Sequence, residues 1–392
     1  MIFQVHFRKE SYMSDHIQTL LARILRYILK ILSIGTLHSK RVVFFSYFGS
    51  QYSCNPKYIC EYMLEHAPDY EIVWAFVNPE KFRFLEEKGI KVTKYLSLPF
   101  LRICLTSRYI ITNSEIPAWF PLTGKQTFIN TWHGGGAYKK VGAAYQKETS
   151  GKQRRAAIAR KNPCIYLTSS KAFTEMTLKE SFHHTGEILA YGMPRNDMLV
   201  QQDRDDLYMK IKDFYHIPAE NQILLYAPTY RDSKKASDYL FDCKKVKQAL
   251  SSRFGGNWSV LYRMHYFVMN QLPKSDEYID ASGYPDMQEL LYASDVLVTD
   301  YSSSMWDFSL KTGPCFLFAT DLDHYDLSRG FYTDIHTWPF PLAENTQELI
   351  DAIEHFDESQ YQADIKNHLN QLGNQESGKS AEKVFEYLQN NL

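Results

Sequence analysis

From Arg41 onward, short β-branched and aromatic runs alternate with stretches whose apolar residues recur at helical spacing. Runs that are apolar throughout are typical of strands buried on both faces, as in parallel sheets. A first series comprises 41–48, 71–77, 108–113, 126–132 and 164–170, and a second comprises 223–230, 258–265, 295–302 and 314–320. The pattern predicts an α/β protein with doubly wound parallel sheets.

A polar segment without strand character, 198–218, separates the two series and predicts a domain boundary near 195–220. A length of 392 residues is also enough for two domains. We assign 41–205 to an N-terminal domain and 206–392 to a C-terminal domain. Two such domains facing each other form a cleft, and ligands bind outside the carboxyl ends of parallel strands.

The segment Ile17–Leu32 has apolar residues at helical spacing, and Arg23, Arg26 and Lys30 share one face of the predicted helix. Three cations within sixteen residues argue against a membrane-spanning helix. An amphipathic helix with a basic face is typical of one that lies in the membrane interface. We interpret 1–40 as a segment that binds an anionic membrane surface; the alternative is a helix packed on the domain or in a self-association contact.

Composition excludes several classes of protein. The 44 Lys and Arg against 45 Asp and Glu give a net charge of −1, unlike that of a non-specific nucleic-acid binder. A hydrophobic content of 44% excludes a disordered chain. The six cysteines form no CxxC pair, which argues against a zinc site or a disulfide framework. No secretory signal pattern precedes the helix, so we expect a cytoplasmic location.

Polar and glycine residues follow the strand runs where a ligand is expected. His133 precedes Gly134, Gly135 and Gly136, directly after the run 126–132. Glycines allow a backbone to approach an anion closely, and a histidine can act as a general base near neutral pH. The next cations, Lys139 and Lys140, can supply charge for a phosphate. A glycine turn with a structural histidine is the alternative interpretation.

Further candidates follow the later runs and the proposed hinge. The second series contributes Pro228 and Thr229, then Arg263, Met264 and His265, then Ser302, Ser303 and Asp307; Arg195 lies near the hinge. A serine cluster that begins a helix after a strand can hold phosphate through hydroxyls and free amides. Several such groups at successive strand ends indicate a phosphate-rich substrate.

The pair Asp321 and Asp323 could belong to a metal-binding DxD motif. Other acidic ligands do not obviously converge on it, and the cations named above can neutralise a pyrophosphate themselves. We therefore expect no metal and no other cofactor.

Taken together, the motifs resemble the CDP-glycerol glycerophosphotransferase family, which contains the teichoic-acid primases and polymerases. The motifs that carry the resemblance are TWHGGGAYKKVG (131–142), GMPRND (192–197), YAPTYRD (226–232), RMH (263–265) and 294–332. The resemblance implies a GT-B-like fold in which the N-terminal domain is on the acceptor side and the C-terminal domain binds the CDP-alditol donor. It implies a CDP-glycerol or other CDP-alditol donor and a lipid-linked glycan or polyol-phosphate acceptor. It also implies peripheral attachment at the cytoplasmic face of the cell membrane.

Carried over by motif, the resemblance implies that His133 and His265 are catalytic. It implies that the donor site comprises Gly134, Gly135, Gly136, Arg195, Pro228, Thr229, Arg263, Met264, Ser302, Ser303 and Asp307. This chain reads WHGGGAYKK where many members read WHGTPLK, which displaces Lys139 by one position.

We expect an acceptor hydroxyl to attack the phosphorus that bears the glycerol, with His133 taking its proton and CMP leaving. The alternatives are a GT-B nucleotide-sugar glycosyltransferase and a non-catalytic membrane-bound adaptor. The sequence leaves open glycerol or ribitol, primase or polymerase, wall polymer or capsule, and whether a homo-oligomer forms.

Overall fold

The computed structural model describes residues 15–33, 35–145, 150–229, 231, 239–264 and 272–391. Two sheets, each parallel throughout, organise this part of the chain. The first has the order β3-β2-β1-β4-β5-β6-β7. Its strands are β1 His38–Phe45, β2 Glu71–Phe76, β3 Lys91–Lys94, β4 Ser107–Thr112, β5 Thr127–Asn130, β6 Ile165–Leu167 and β7 Ile188–Leu189.

The second sheet has the order β10-β9-β8-β11-β12-β13. Its strands are β8 Gln222–Tyr226, β9 Trp258–Tyr262, β10 Ile279–Asp280, β11 Val296–Thr299, β12 Cys315–Phe318 and β13 Leu342–Ala343. In both sheets the strand order reverses direction beside the first strand, which is the doubly wound topology. The predicted α/β class with two parallel-sheet domains is confirmed.

Helices cover both sheets. In the first half they are α1 Asp15–Leu32, α2 Cys54–His66, α3 Leu98–Thr106, α4 Ser150–Ala159, α5 Asp197–Gln201 and α6 Asp205–Tyr215. In the second half they are α7 Cys243–Phe254, α8 Met287–Ala293, α9 Ser304–Ser309, α10 Leu322–Ser328, α11 Thr346–Glu354, α12 Glu358–Leu372 and α13 Ser380–Asn390.

The strands are apolar throughout because both faces of each sheet are covered. Along β1, Val42 and Phe44 join one buried cluster while Val43 and Phe45 join the cluster on the opposite face. All four side chains are at most 1% exposed. This explains why the runs predicted as strands show no alternation of polar and apolar residues.

The membership of the two cores differs from the assigned domain division in two places. The core of the C-terminal domain already includes Met198 and Leu199 of α5, so this domain begins before position 206. Helix α13, at the end of the chain, packs through Val384 and Leu388 into the core of the N-terminal domain. The chain therefore crosses between the domains twice, near 196 and again between α12 and α13.

Helix α1 lies on the N-terminal domain. Leu29 is buried, and the Arg26 guanidinium donates to the carbonyl of Phe120 (2.7 Å) and to Asn162 Oδ1 (2.6 Å). Arg26 nevertheless lines the same groove as Arg23 and Lys30, so the three cations share one face as the sequence pattern predicts. Arg26 differs from the other two in that hydrogen bonds also tie it to the domain.

Candidate active site

The reversals in strand order place a candidate site between the two domains. In each sheet, loops diverge where the connections turn to opposite sides, and this leaves a crevice at the carboxyl ends of the strands. In the N-terminal sheet this point lies between β1 and β4, followed by Tyr47 and Asn113 respectively. In the C-terminal sheet it lies between β8 and β11, followed by Thr229 and Asp300.

His133 follows β5 and borders this crevice. Its Nδ1 lies 3.0 Å from the carbonyl oxygen of Asn113, and its ring stacks on Trp132 with centroids 4.3 Å apart. Because a carbonyl only accepts, Nδ1 carries the hydrogen and Nε2 keeps a free lone pair. Desolvation lowers the pKa of His133 to about 4, and the positive charges of Arg195 and Lys139 add to this shift. His133 is partly exposed at the edge of the crevice, and with a pKa below its ordinary value its imidazole is neutral near pH 7.

The glycines after His133 allow close packing between the domains. A Cβ atom on Gly135 would lie 2.6 Å from Trp306 Cδ1, and one on Gly136 would lie 2.9 Å from Trp306 Cε3. Gly136 also has a φ of +75°, which other residues rarely adopt. A Cβ on Gly134 would meet Trp132 Nε1 at 3.3 Å. Contact with Trp306 of α9 therefore already requires glycine at 135 and 136.

Arg195 and Asp307 were predicted as separate ligand contacts, and the structure pairs them with each other. Arg195 Nε and Nη2 donate to the two Asp307 oxygens at 3.0 and 2.9 Å. Both side chains are buried, at 3% and 7% exposure. Burial alone would lower the pKa of Arg195, but the facing Asp307 carboxylate raises it above its ordinary value. Asn196 and Gln288 also donate to Asp307, so its oxygens are saturated.

Two residues that the motifs did not indicate hold this network in place. Asn55 of α2 accepts from the Arg195 amide (3.1 Å) and donates to the Trp132 carbonyl (3.2 Å). Glu376, at the second crossing, accepts from Asn196 (2.9 Å) and from the Trp306 indole (3.1 Å). Desolvation raises the pKa of Glu376 to about 7. Glu376 is half-buried and lies outside every motif, so no sequence pattern distinguishes it from the exposed glutamates.

The loop after β8 is fixed by Asp300. The Thr229 amide donates to both Asp300 oxygens at 2.9 and 3.0 Å, and Arg231 Nη1 donates to one of them at 2.7 Å. Arg231 also pairs with Asp321 at 2.6 Å, so this first aspartate of the DxD sequence is engaged by a cation. Pro228 directly precedes Thr229 in the same loop.

The loop after β9 carries Arg263 and Met264. Arg263 Nη1 donates to the Tyr284 carbonyl at 2.5 Å, and burial lowers the pKa of Arg263. Met264 is buried, and its amide donates to Ser282 Oγ at 3.0 Å. The predicted catalytic His265 lies outside the described residues.

The serine cluster lies between β11 and α9, as predicted. Ser302 and Ser303 are half-buried, and Ser302 Oγ accepts from the Ser304 amide at 3.3 Å. Ser303 occupies the N-cap position, yet its hydroxyl makes no capping hydrogen bond within the described helix. Helix α9 has only 6 residues, so the dipole at its N-terminus is short.

Comparisons with known proteins agree with the motifs. The family model described as CDP-Glycerol:Poly(glycerophosphate) glycerophosphotransferase matches residues 27–390. A teichoic acid poly(glycerol phosphate) polymerase of Bacillus spizizenii is 30% identical over 95% of this chain and 97% of its own length. A teichoic acid glycerol-phosphate transferase of Staphylococcus aureus is 33% identical over 83% of this chain and 86% of its own.

A Bacillus subtilis poly(glycerol phosphate) polymerase is 33% identical over 88% of this chain, which spans only 48% of that protein. The solved structure of the wall teichoic acid polymerase TagF superimposes with a TM-score of 0.81 at 27% identity. That match covers 96% of this chain and 97% of the TagF chain, and TagF has also been solved after a soak with CDPG. On its sequence and its fold, the chain belongs to the CDP-glycerol:poly(glycerophosphate) glycerophosphotransferase family.

Proposed function

We propose that this protein transfers glycerol phosphate from CDP-glycerol to a lipid-linked or polymeric acceptor and releases CMP, in the synthesis of teichoic acid or a related cell-surface polymer. The observation that supports the proposal is the loop after β5, in which His133 Nδ1 lies 3.0 Å from the Asn113 carbonyl oxygen and the glycines that follow pack on Trp306 of α9, directly after the serine cluster of the other domain. A base on one side and phosphate-binding groups on the other suit attack on a bound phosphorus.

In the proposed reaction, an acceptor hydroxyl gives its proton to His133 Nε2 while its oxygen bonds to the glycerol-bearing phosphorus. The bond from that phosphorus to the bridging oxygen breaks, and CMP leaves with the electron pair. Ser302, Ser303 and the Thr229 loop support the departing phosphate. The negative donor would raise the pKa of His133 above its value in the free enzyme and make the imidazole a stronger base.

Arg195 and Asp307 have a positioning role in this proposal. Their bidentate pair joins the crossing near 196 to α9, which carries Trp306 against the glycine loop. The pair thereby sets the position of the His133 loop relative to the serine cluster.

Donor screening tests the proposed function. Purified enzyme with a lipid-linked acceptor is incubated with CDP-glycerol, CDP-ribitol or UDP-sugars, and release of CMP or UDP is measured. CMP release from CDP-glycerol supports the proposal. UDP release would favour the glycosyltransferase alternative, and no turnover with any donor would favour the adaptor.

We also propose that the enzyme works at the cytoplasmic membrane surface, where a lipid-linked acceptor is found, and that α1 contacts the bilayer. Its outward face exposes seven large apolar or aromatic side chains by 47–69%: Ile17, Leu20, Leu21, Ile24, Tyr27, Ile28 and Ile31. Beside them a groove of about 450 Å³ is lined by Arg23, Lys30, Arg154 and Lys161. An exposed apolar stripe bordered by cations fits an anionic bilayer interface. Among the described residues, no helix has the length and apolar content needed to cross a membrane.

A further inference from the structure

The segment after the glycine loop crosses the cleft and enters the C-terminal domain. Tyr138 is 3% exposed and belongs to the hydrophobic core of that domain. Its ring packs edge-on against Trp338 with centroids 4.7 Å apart, and its hydroxyl lies 3.0 Å from His368 Nε2. Tyr138 therefore anchors a loop of the N-terminal sheet in the other domain.

Backbone hydrogen bonds on both sides of Lys139 complete the attachment. The Tyr332 amide donates to the Tyr138 carbonyl at 2.8 Å, and the Lys140 amide donates to the Gly330 carbonyl at 3.1 Å. Lys139 itself forms an isolated antiparallel bridge with Phe331. Although Lys139 follows β5 in sequence, its backbone is thus paired with the C-terminal domain.

The anion that attracts the Lys139 side chain already accepts hydrogen bonds from other residues. Asp300, the anion that attracts it, accepts hydrogen bonds from the Thr229 amide, the Tyr301 amide and Arg231. Within the described ranges, Lys139 forms no ion pair of its own. Burial lowers the pKa of Lys139 to about 8, and the nearby Arg329 and Arg231 contribute to this shift. The described anion that attracts Lys139 is therefore shared with Arg231.

A second unsatisfied group lies at the same place. Thr229 Oγ1 is buried and has no hydrogen-bond partner among the described residues, while the Thr229 amide is bound to Asp300. An ammonium group and a hydroxyl around one aspartate can both donate to phosphate oxygens. An anion placed between them would satisfy both.

We propose that the Lys139 ammonium group and the Thr229 hydroxyl together bind the pyrophosphate of the donor. The Tyr138 anchor holds Lys139 on the far side of the cleft, where it can make this contact. This inference rests on the proposed function, because it takes the donor to be a cytidine diphosphate ester. The anchor explains how a residue of the acceptor-side loop reaches the donor site of the opposite domain.

Kinetics of Lys139→Met test the assignment, with Lys366→Met, at an exposed position on α12, as the matched control. The Lys139→Met enzyme is expected to have a CDP-glycerol KM raised by about 10- to 100-fold, the effect of losing one charged hydrogen bond. The acceptor KM and the thermal melting midpoint should stay close to those of the control. Equal donor KM values for the two variants would overturn the assignment.

The variant Lys139→Arg tests the pH dependence of donor affinity, which a lysine with only a structural role would not affect. Because Lys139 loses its proton near pH 8 in the free enzyme, wild-type donor affinity should fall as the pH rises above about 8. The other charged groups facing it are Arg231, Asp300 and Arg329, together with His133, whose own shift lies well below this range. Lys139→Arg keeps its charge, so its donor KM should stay low and flat across this pH range. A wild-type step that persists in the arginine variant would contradict the assignment.

Calorimetric binding of CDP separates failure of this inference from failure of the proposed function. CDP carries the pyrophosphate and needs no turnover. Weaker CDP binding by Lys139→Met than by Lys366→Met supports the pyrophosphate assignment whatever group the enzyme transfers. Wild-type turnover of CDP-glycerol with equal CDP affinities in both variants would refute only the role of Lys139.

Discussion

The chemical character of His133 depends on residues of two loops and of helix α2. The Asn113 carbonyl sets the tautomer, the Trp132 ring sets the plane of the imidazole, and Asn55 holds the Trp132 carbonyl. Sequence motifs predicted the histidine as a candidate base, but they could not predict these contacts, because Asn55 and Asn113 belong to no motif. Preorganisation of the base is therefore a tertiary property.

Replacing His133 by Ala should lower kcat by about 10²- to 10⁴-fold, the usual contribution of a positioned acid–base group. The KM for CDP-glycerol should change much less, since the phosphate ligands remain. Steady-state CMP release measures both constants, and His355→Ala, on the surface of α11, is the control. Near-full activity of His133→Ala would remove this residue from the mechanism.

At the buried pair, Asp307→Ala should lower the free energy of unfolding by about 3–5 kcal/mol, because it leaves the Arg195 charge buried without a partner. Urea denaturation measures the loss, and Asp213→Ala, at an exposed position on α6, is the control. An unchanged unfolding free energy with a raised donor KM would instead make Asp307 a direct donor contact, as its motif alone suggests.

At the scale of elements, apolar runs were sufficient to predict the central strands and insufficient for the edges. Strands β1, β2, β4 and β8 lie within the predicted runs or overlap them, because both their faces are buried. Edge strand β3 reads KVTK with exposed ends, and β10 has only two residues. Such short or solvated strands depend on pairing with a neighbour, so their composition carries little signal.

The exposed apolar face of helix α1 is the proposed contact with the membrane. A variant with four serine substitutions on this face should lose binding to anionic vesicles, because interfacial affinity scales with buried apolar area. The substitutions are Leu20→Ser, Leu21→Ser, Ile24→Ser and Ile28→Ser. Sedimentation with liposomes measures binding, and Leu327→Ser, at the 90%-exposed Leu327 of α10, is the control. Unchanged pelleting at physiological salt would assign the anchor to another part of the protein.

Charge reversal at Arg23 and Lys30 should also weaken binding to anionic vesicles, with the affinity falling roughly fivefold for each cation removed. Arg26 is left intact in this test, because its bonds to Phe120 and Asn162 hold the helix on the domain. Deletion of 1–40 is less informative than these substitutions, since it would also remove the first residues of β1 and the buried Leu29.

At the scale of the whole molecule, the two domains are joined by more than the covalent hinge. Lys57 of α2 pairs with Asp286 at 2.6 Å, Glu376 joins the two crossings, and the Tyr138 anchor enters the second core. Sequence analysis predicted two parallel-sheet domains and named Arg195 and Asp307 as candidate ligand contacts. It could not predict that these two bind each other, since Arg195 and Asp307 lie 112 residues apart.

The Tyr138 anchor predicts a specific acid sensitivity. Desolvation lowers the pKa of His368 to about 4, so its imidazole stays neutral in the folded protein while the unfolded chain takes up a proton near pH 6.5. Stability from this group is complete above about pH 6.5 and is lost as the pH falls towards 4. Thermal melting from pH 7 to pH 4.5 should show a smaller decline in His368→Asn than in wild type. Parallel declines in the two proteins would show that His368 does not contribute to the acid sensitivity.

The measurement that most directly tests the central claim follows the acceptor rather than the nucleotide. The wild-type enzyme is incubated with CDP-glycerol and a lipid-linked acceptor, and mass spectrometry of the acceptor is compared with the amount of CMP released. We predict that the acceptor gains mass in whole glycerol phosphate units, one for each CMP formed, and that His133→Ala suppresses both signals together. An acceptor that stays unmodified while CMP accumulates, or that gains a sugar instead, would contradict the account.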